Sequence, residues 1–170
     1  MNRDQRIVGA GAISGVVTML ALLWLLYHAL PAPAGAELVA NRMAYALKWN
    51  ALAVAPLFAM IVAIGNARAL SEAIDPTRGK ESPAMQVNAR VANNTLEQFV
   101  LFATGSLALA AALPGEQVRI VGAAAITFAV MRIAFWIGYR IQPLYRAFGF
   151  ASCAYMNLGL LIAALWFSRS

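Results

Sequence analysis

The stretch NARVANNTLEQFVLFATGSLALAAAL, residues 88–113, reads as a membrane-spanning helix whose first half carries three polar residues on one face. Arg90, Asn94 and Glu97 follow one another at spacings of four and three. On an α-helix those spacings form one narrow stripe. A charge near the centre of a bilayer costs about 2.5–3.5 kcal/mol on insertion scales. The stripe must therefore face protein, or something that protein holds.

The rest of the chain fits a membrane setting. Of its 170 residues 62% are apolar and only 12% charged, whereas roughly a quarter of the residues in soluble domains are charged. Apolar stretches run over about 7–30, 49–65, 98–113, 118–139 and 147–167, the fourth broken by Arg119 and Arg132. A spanning helix needs about 20 apolar residues. The pattern thus predicts five helices, the second and third extending beyond their uncharged parts. The alternation that a membrane barrel would need is absent. The expected fold class is all-α, an integral membrane helical bundle that uses the whole chain.

The formal charge of +6 is a topology signal, because the basic residues adjoin the spans; it gives no reason to expect nucleic acid. Arg3, Arg6, Arg68, Arg78, Lys80, Arg90, Arg140 and Arg146 fall on one side, against Arg42, Lys48, Arg119 and Arg169 on the other. The positive-inside rule then places the N-terminus and the site-bearing side in the cytoplasm. An odd number of spans puts the C-terminus outside. The first apolar run is longer than the roughly 7–15 residues of a signal-peptide core, so it is expected to be a retained helix. Cys153 is alone and reads as a buried small residue. His28 reads as interfacial, and no ligand set for a metal is present.

The connections punctuate this plan. Pro31 to Gly35 form a short linker, and Pro114-Gly115 a tight turn that makes a hairpin of the third and fourth spans. Asp75 to Gly79 break the longest loop. Ser82-Pro83 then reads as an N-cap with proline in the first turn. Arg90 lies about 10 Å along the new helix at 1.5 Å per residue, near headgroup level, with Glu97 two turns deeper. Gln142-Pro143 ends the fourth span and Arg146 opens the fifth.

Arg132 and Tyr139, seven residues apart, share a face of the fourth span with Phe135 near it. With Arg68, Arg90, Asn94, Glu97 and Arg146 they gather in the inner half of the membrane. Four arginines against one glutamate do not neutralise themselves. An excess of buried guanidinium calls for an anion, which it binds bidentately as carboxylate or phosphate. Taken singly, each residue has a plainer reading. Glu97 can pair with Arg90 or Arg132 to fix helix register. Arg68 and Arg146 can snorkel to headgroups, and Tyr139 can be an interfacial aromatic.

The joint pattern resembles the MAPEG family, the membrane-associated proteins of eicosanoid and glutathione metabolism. Arg90-Val-Ala-Asn-Asn94-Thr-Leu-Glu97-Gln-Phe looks like the arginine, asparagine and glutamate signature of the family's second helix. Arg132-Ile-Ala-Phe135-Trp-Ile-Gly-Tyr139, with Pro143 and Arg146 after it, is similar to its third-helix face. Arg68 ends the helix corresponding to the family's first. The resemblance covers about residues 43–167.

It implies a four-helix protomer over 42–170, preceded by an additional transmembrane helix and linker over 1–41. It further implies a homotrimer with glutathione, as co-substrate, bound between protomers. Arg68, Arg90, Asn94, Glu97, Arg132 and Tyr139 look like glutathione-binding positions, and Arg146 resembles the arginine that stabilises the thiolate in catalytic members. The function so implied is a glutathione-dependent transferase or peroxidase acting on hydrophobic small molecules drawn from the bilayer, in detoxification. Its place would be a bacterial plasma membrane. Gln98, Phe135 and Ala147 depart from residues found in several catalytic members. The alternative is a non-catalytic member that binds a lipid or small anion in the same cleft.

Overall fold

A computed structural model describes residues 1–169. Six α-helices follow in order: α1 (Arg3–Ala29), α2 (Val39–Ala53), α3 (Ala55–Ala69), α4 (Pro83–Ala112), α5 (Arg119–Ile141) and α6 (Arg146–Phe167). No strand occurs among the described residues. Five segments are long and apolar enough to cross a membrane: Arg3–Ala29, Val39–Ala69, Pro83–Ala112, Gly115–Ile141 and Pro143–Phe167. The protein is an all-α integral membrane bundle.

One span differs from the single rod expected. The second is divided at Val54 into α2 and α3, with Pro56 in the first turn of α3. Proline has no N–H to donate, and its ring clashes with the carbonyl four residues earlier, so a helix breaks just before it. The start of α4 and the end of α5 lie where the sequence placed them, whereas α1 begins at Arg3 and α2 at Val39, ahead of their apolar stretches. The Ser82 hydroxyl accepts from the Met85 N–H at 3.3 Å, and Pro83 opens α4. Asn2 and Gln5 cap α1 reciprocally, at 2.8 and 3.0 Å. Asp75 caps its 3₁₀ turn by accepting from the Thr77 hydroxyl at 2.6 Å and the Thr77 N–H at 3.0 Å. Those bonds, the hydroxyl's first, hold its carboxyl below the ordinary value.

Lipid is as apolar as leucine, so helices in a bilayer associate by close packing and by polar bonds between them. The chain supplies both. α6 packs against α1, α4 and α5. Phe102 of α4 and Phe128 of α5 are fully buried and stacked at 4.7 Å. Gly149 of α6 lies so near α5 that a Cβ there would stand 2.7 Å from the Phe135 Cβ. Only glycine permits that approach, which brings the start of α6 onto the face of α5 carrying Arg132, Phe135 and Tyr139. Asn157 of α6 donates to both the backbone and the side-chain oxygen of Gln98, each at 3.0 Å.

The opposite end of the bundle is fastened by Arg42. Its guanidinium donates to the carbonyls of Ala36 (2.9 Å), Glu37 (3.0 Å), Ala110 (3.0 Å) and Ala111 (3.1 Å). The last carbonyls of α4 have no partner within their own helix, and Arg42 satisfies two of them while tying the linker after α1 to the bundle. Hydrogen bonds to a charged group contribute about 1.5–3 kcal/mol each in favourable cases. Arg42→Ala is therefore expected to lower stability by about 3 kcal/mol in all, since water replaces some of the lost bonds. A denaturant titration in detergent checks this, and an unchanged midpoint would remove Arg42 from that role.

Candidate functional site

The three parts of the site come from three helices. α4 carries Arg90 at its eighth residue and Glu97 at its fifteenth of 30, so the polar stripe reaches the middle of the helix. α5 presents Arg132, Phe135 and Tyr139 at spacings of three and four, all buried. A 3₁₀ turn over Pro143–Tyr145, closed by the Tyr145 N–H donating to the Gln142 carbonyl at 2.9 Å, delivers Arg146 as the first residue of α6.

Arg132 is the most buried charge, with 0% of its surface exposed. Among the described residues it has no carboxylate partner. Its Nε donates to the Thr95 hydroxyl at 3.2 Å, and its Nη2 donates to the same oxygen at 3.0 Å and to Asn94 Oδ1 at 3.0 Å. The Phe135 ring centroid lies 4.1 Å from the guanidinium carbon, a cation–π contact. Cys153 of α6, also fully buried, interacts with the same guanidinium. The remaining terminal nitrogen, Nη1, has no hydrogen-bond acceptor.

Asn94 transmits this arrangement outward. Its oxygen is occupied by Arg132, which turns its amide nitrogen toward Glu97 Oε2 at 3.4 Å. Glu97 is exposed on the outer face of α4, as is Arg90. The ion pairs that the sequence allowed, Glu97 with Arg90 or with Arg132, do not form within the chain.

Beside this network lies a cavity of about 450 Å³, lined by Val8, Arg90, Asn94, Phe135, Tyr139, Arg146, Ala147 and Phe150. Arg146 Nη1 donates to the Tyr139 hydroxyl at 3.1 Å, with the guanidinium 5.3 Å from that ring. Among the described residues, no acidic one lines the cavity. Of the seven residues singled out from the sequence, four line it: Arg90, Asn94, Tyr139 and Arg146. Arg132 and Glu97 join through Asn94. Arg68 stands apart, paired with Glu81 outside the cavity.

Thr95 was not foreseen. It follows Asn94 directly and so lies a hundred degrees round the helix, on the buried side, where a threonine in a membrane helix usually bonds its own backbone. Gln98 is buried and accepts from Asn157 of α6 rather than lining the cavity. Val8 and Phe150 gave no signal in the sequence, since one apolar residue in an apolar span resembles any other.

The sequence profile of the MAPEG family matches residues 46–166. The chain belongs to the MAPEG family. No curated protein and no solved structure matches it significantly. The MAPEG match covers α3 to α5 entirely and most of α2 and α6, which is every helix that lends a polar residue to the site. Membership supports a role at the membrane connected with glutathione or eicosanoid metabolism. α1 lies before the matched segment.

Thr95→Val keeps the shape of the side chain and removes the acceptor of two Arg132 N–H groups. Leaving buried donors unpaired costs about 1–3 kcal/mol. The variant is expected to unfold at correspondingly lower denaturant, whereas Thr95→Ser is expected to match the parent. Equal loss in both would show that packing of the methyl group, not the hydroxyl, supports Arg132.

Proposed function

We propose that this MAPEG protein is a glutathione-dependent transferase or peroxidase acting on hydrophobic electrophiles in the bilayer. The single observation that supports this most is a cavity bordered by two arginines, backed by a third, and free of carboxylates. Such a site favours an anion with more than one acidic group. Glutathione has two carboxylates and one ammonium group. Arg90 and Asn94 suit its carboxylates, and Glu97 suits its amine. Arg132 adds positive potential from behind Asn94. Arg68 can serve the same ligand only from a neighbouring protomer, because within one chain it lies outside the cavity.

The reacting group is the glutathione thiol. A free thiol with a pKa of about 8.5 is mostly protonated at neutral pH, and an adjacent cation lowers that value. Arg146 is the cation in position. Its bond to Tyr139 occupies the phenolic oxygen and leaves the phenolic hydrogen free to donate to sulfur. In conjugation the C–S bond forms as the halide or other leaving group departs, and the thiol proton passes to water. In peroxide reduction two glutathione molecules become the disulfide while the hydroperoxide becomes an alcohol and water.

A homotrimer completes the arrangement. Arg90 and Glu97 lie on the outside of a single chain, where lipid would otherwise meet them, and a neighbouring copy can cover them. The basic residues at this end of the bundle support a reading with that end in the cytoplasm and the C-terminus outside, and the membrane in this reading is a bacterial plasma membrane. Residues 1–41 form an added transmembrane unit on the four-helix domain of 42–170. A second reading, a non-catalytic member holding a lipid or small anion, is favoured by Phe135, which gives the cavity wall an apolar ring between Arg132 and Tyr139.

Purified protein in detergent is expected to bind glutathione and to conjugate 1-chloro-2,4-dinitrobenzene. Arg146→Ala is expected to retain binding while kcat/KM falls roughly 100-fold, the loss typical of one donor to a reacting anion. Glu97→Ala is expected to weaken binding instead. Binding without turnover in the parent would favour the second reading, and no binding at all would end the first. A detergent-corrected mass is expected to show three chains per particle. A monomer would contradict the assembly.

A further inference from the structure

The site cavity contains one residue from outside the family match, Val8 of α1. Its polar lining comes from Arg90, Asn94, Tyr139 and Arg146, and its apolar lining from Val8, Phe135, Ala147 and Phe150. A cavity with these two chemistries offers a polar wall to a charged molecule and an apolar wall to a nonpolar one. The position of Val8 is not left to a loosely attached helix. Val8, Gly11 and Gly15 are spaced by three and four, so they share the face of α1 that meets α6. A Cβ on Gly11 would stand 3.4 Å from the Ala147 Cβ. A Cβ on Gly15 would collide with the Phe148 carbonyl and stand 2.8 Å from Ser152 Oγ. α1 therefore sits against the first turns of α6 in a register that a side chain at Gly15 would destroy, and Val8 and Ala147 both line the cavity.

We propose that α1 is a wall of the reacting site, and that Val8, with Ala147 and Phe150, forms the subsite for the nonpolar co-substrate and limits its bulk. This rests on the glutathione reading above and adds to it a specificity-determining residue from the N-terminal helix. The class of acceptor is an uncharged electrophile with an alkyl or aryl body, because the subsite offers it no polar group. The helix that lies outside the matched family segment would thus choose the substrate, while the matched helices hold glutathione.

Val8→Cys tests the placement directly. The native Cys153 is fully buried, so the parent protein should take up little maleimide and serve as background. Arg3→Cys, exposed on the same helix and outside the cavity, is the control. At a concentration about ten times its Kd, S-hexylglutathione should slow labelling of Val8→Cys about ten-fold, as occupancy requires. Glutathione sulfonate, which has the same polar part and no alkyl chain, should leave the rate nearly unchanged, and Arg3→Cys should be unaffected by either. Equal labelling of Val8→Cys with and without bound S-hexylglutathione overturns the wall while leaving the glutathione reading intact. If equilibrium dialysis shows that the parent binds neither analogue, the glutathione reading fails, and the subsite falls with it. Val8→Trp supplies a second readout. It should raise KM about ten-fold for a long-chain 2-alkenal, a pocket effect of the usual size, with the glutathione Kd unchanged. A uniform fall in kcat for small and long electrophiles alike would mark Val8 as packing only.

Discussion

Arg132 is a fully buried cation in a membrane helix with no carboxylate among the described residues to neutralise it, and the surrounding structure is arranged around that fact. A charge so placed is costly, and the cost falls as its donors are met and its field is answered. Thr95 and Asn94 accept from it, and the Phe135 face covers it. None of these carries a negative charge. The remaining positive potential is felt at the cavity beside Asn94, where it would favour an anion such as the proposed glutathione. The same bond orients Asn94 so that its amide faces Glu97, and so couples the buried face of α4 to the exposed one.

The helices are held by devices that suit lipid. Gly149 brings α6 onto α5 below the cavity, and Gly15 brings α1 onto α6 beside it. Arg42 fastens the far end by satisfying backbone carbonyls, leaving the site end to be shaped by side chains. The two ends of the bundle therefore differ: at one a guanidinium satisfies backbone carbonyls, and at the other arginines border a cavity.

Much of this was legible in the sequence. The number of spans followed from apolar length, and the Ser82-Pro83 start gave the position of Arg90 along α4. The spacing of Arg90, Asn94 and Glu97 announced a shared stripe, and four of the seven chosen residues do line one cavity. The failures have physical causes. The plainer reading of Glu97, an ion pair with Arg90 or Arg132, does not hold within the chain, because Asn94 and Thr95, both uncharged, answer Arg132 instead. The break at Val54 was missed because Pro56 sits within an otherwise continuous apolar run. Arg68 could be placed at the correct end of α3 but not relative to the cavity, since the loop that returns to Ser82 pairs it with Glu81. Val8 could not be found at all without knowing which face of α1 the glycines press against α6.

The most direct test is the ultraviolet difference spectrum of glutathione bound to the purified protein at neutral pH. If the cations around the cavity form a site that ionises the thiol, the complex will show thiolate absorbance that is lost in Arg146→Ala although glutathione remains bound. Glutathione bound entirely as the thiol in the parent protein would contradict the account.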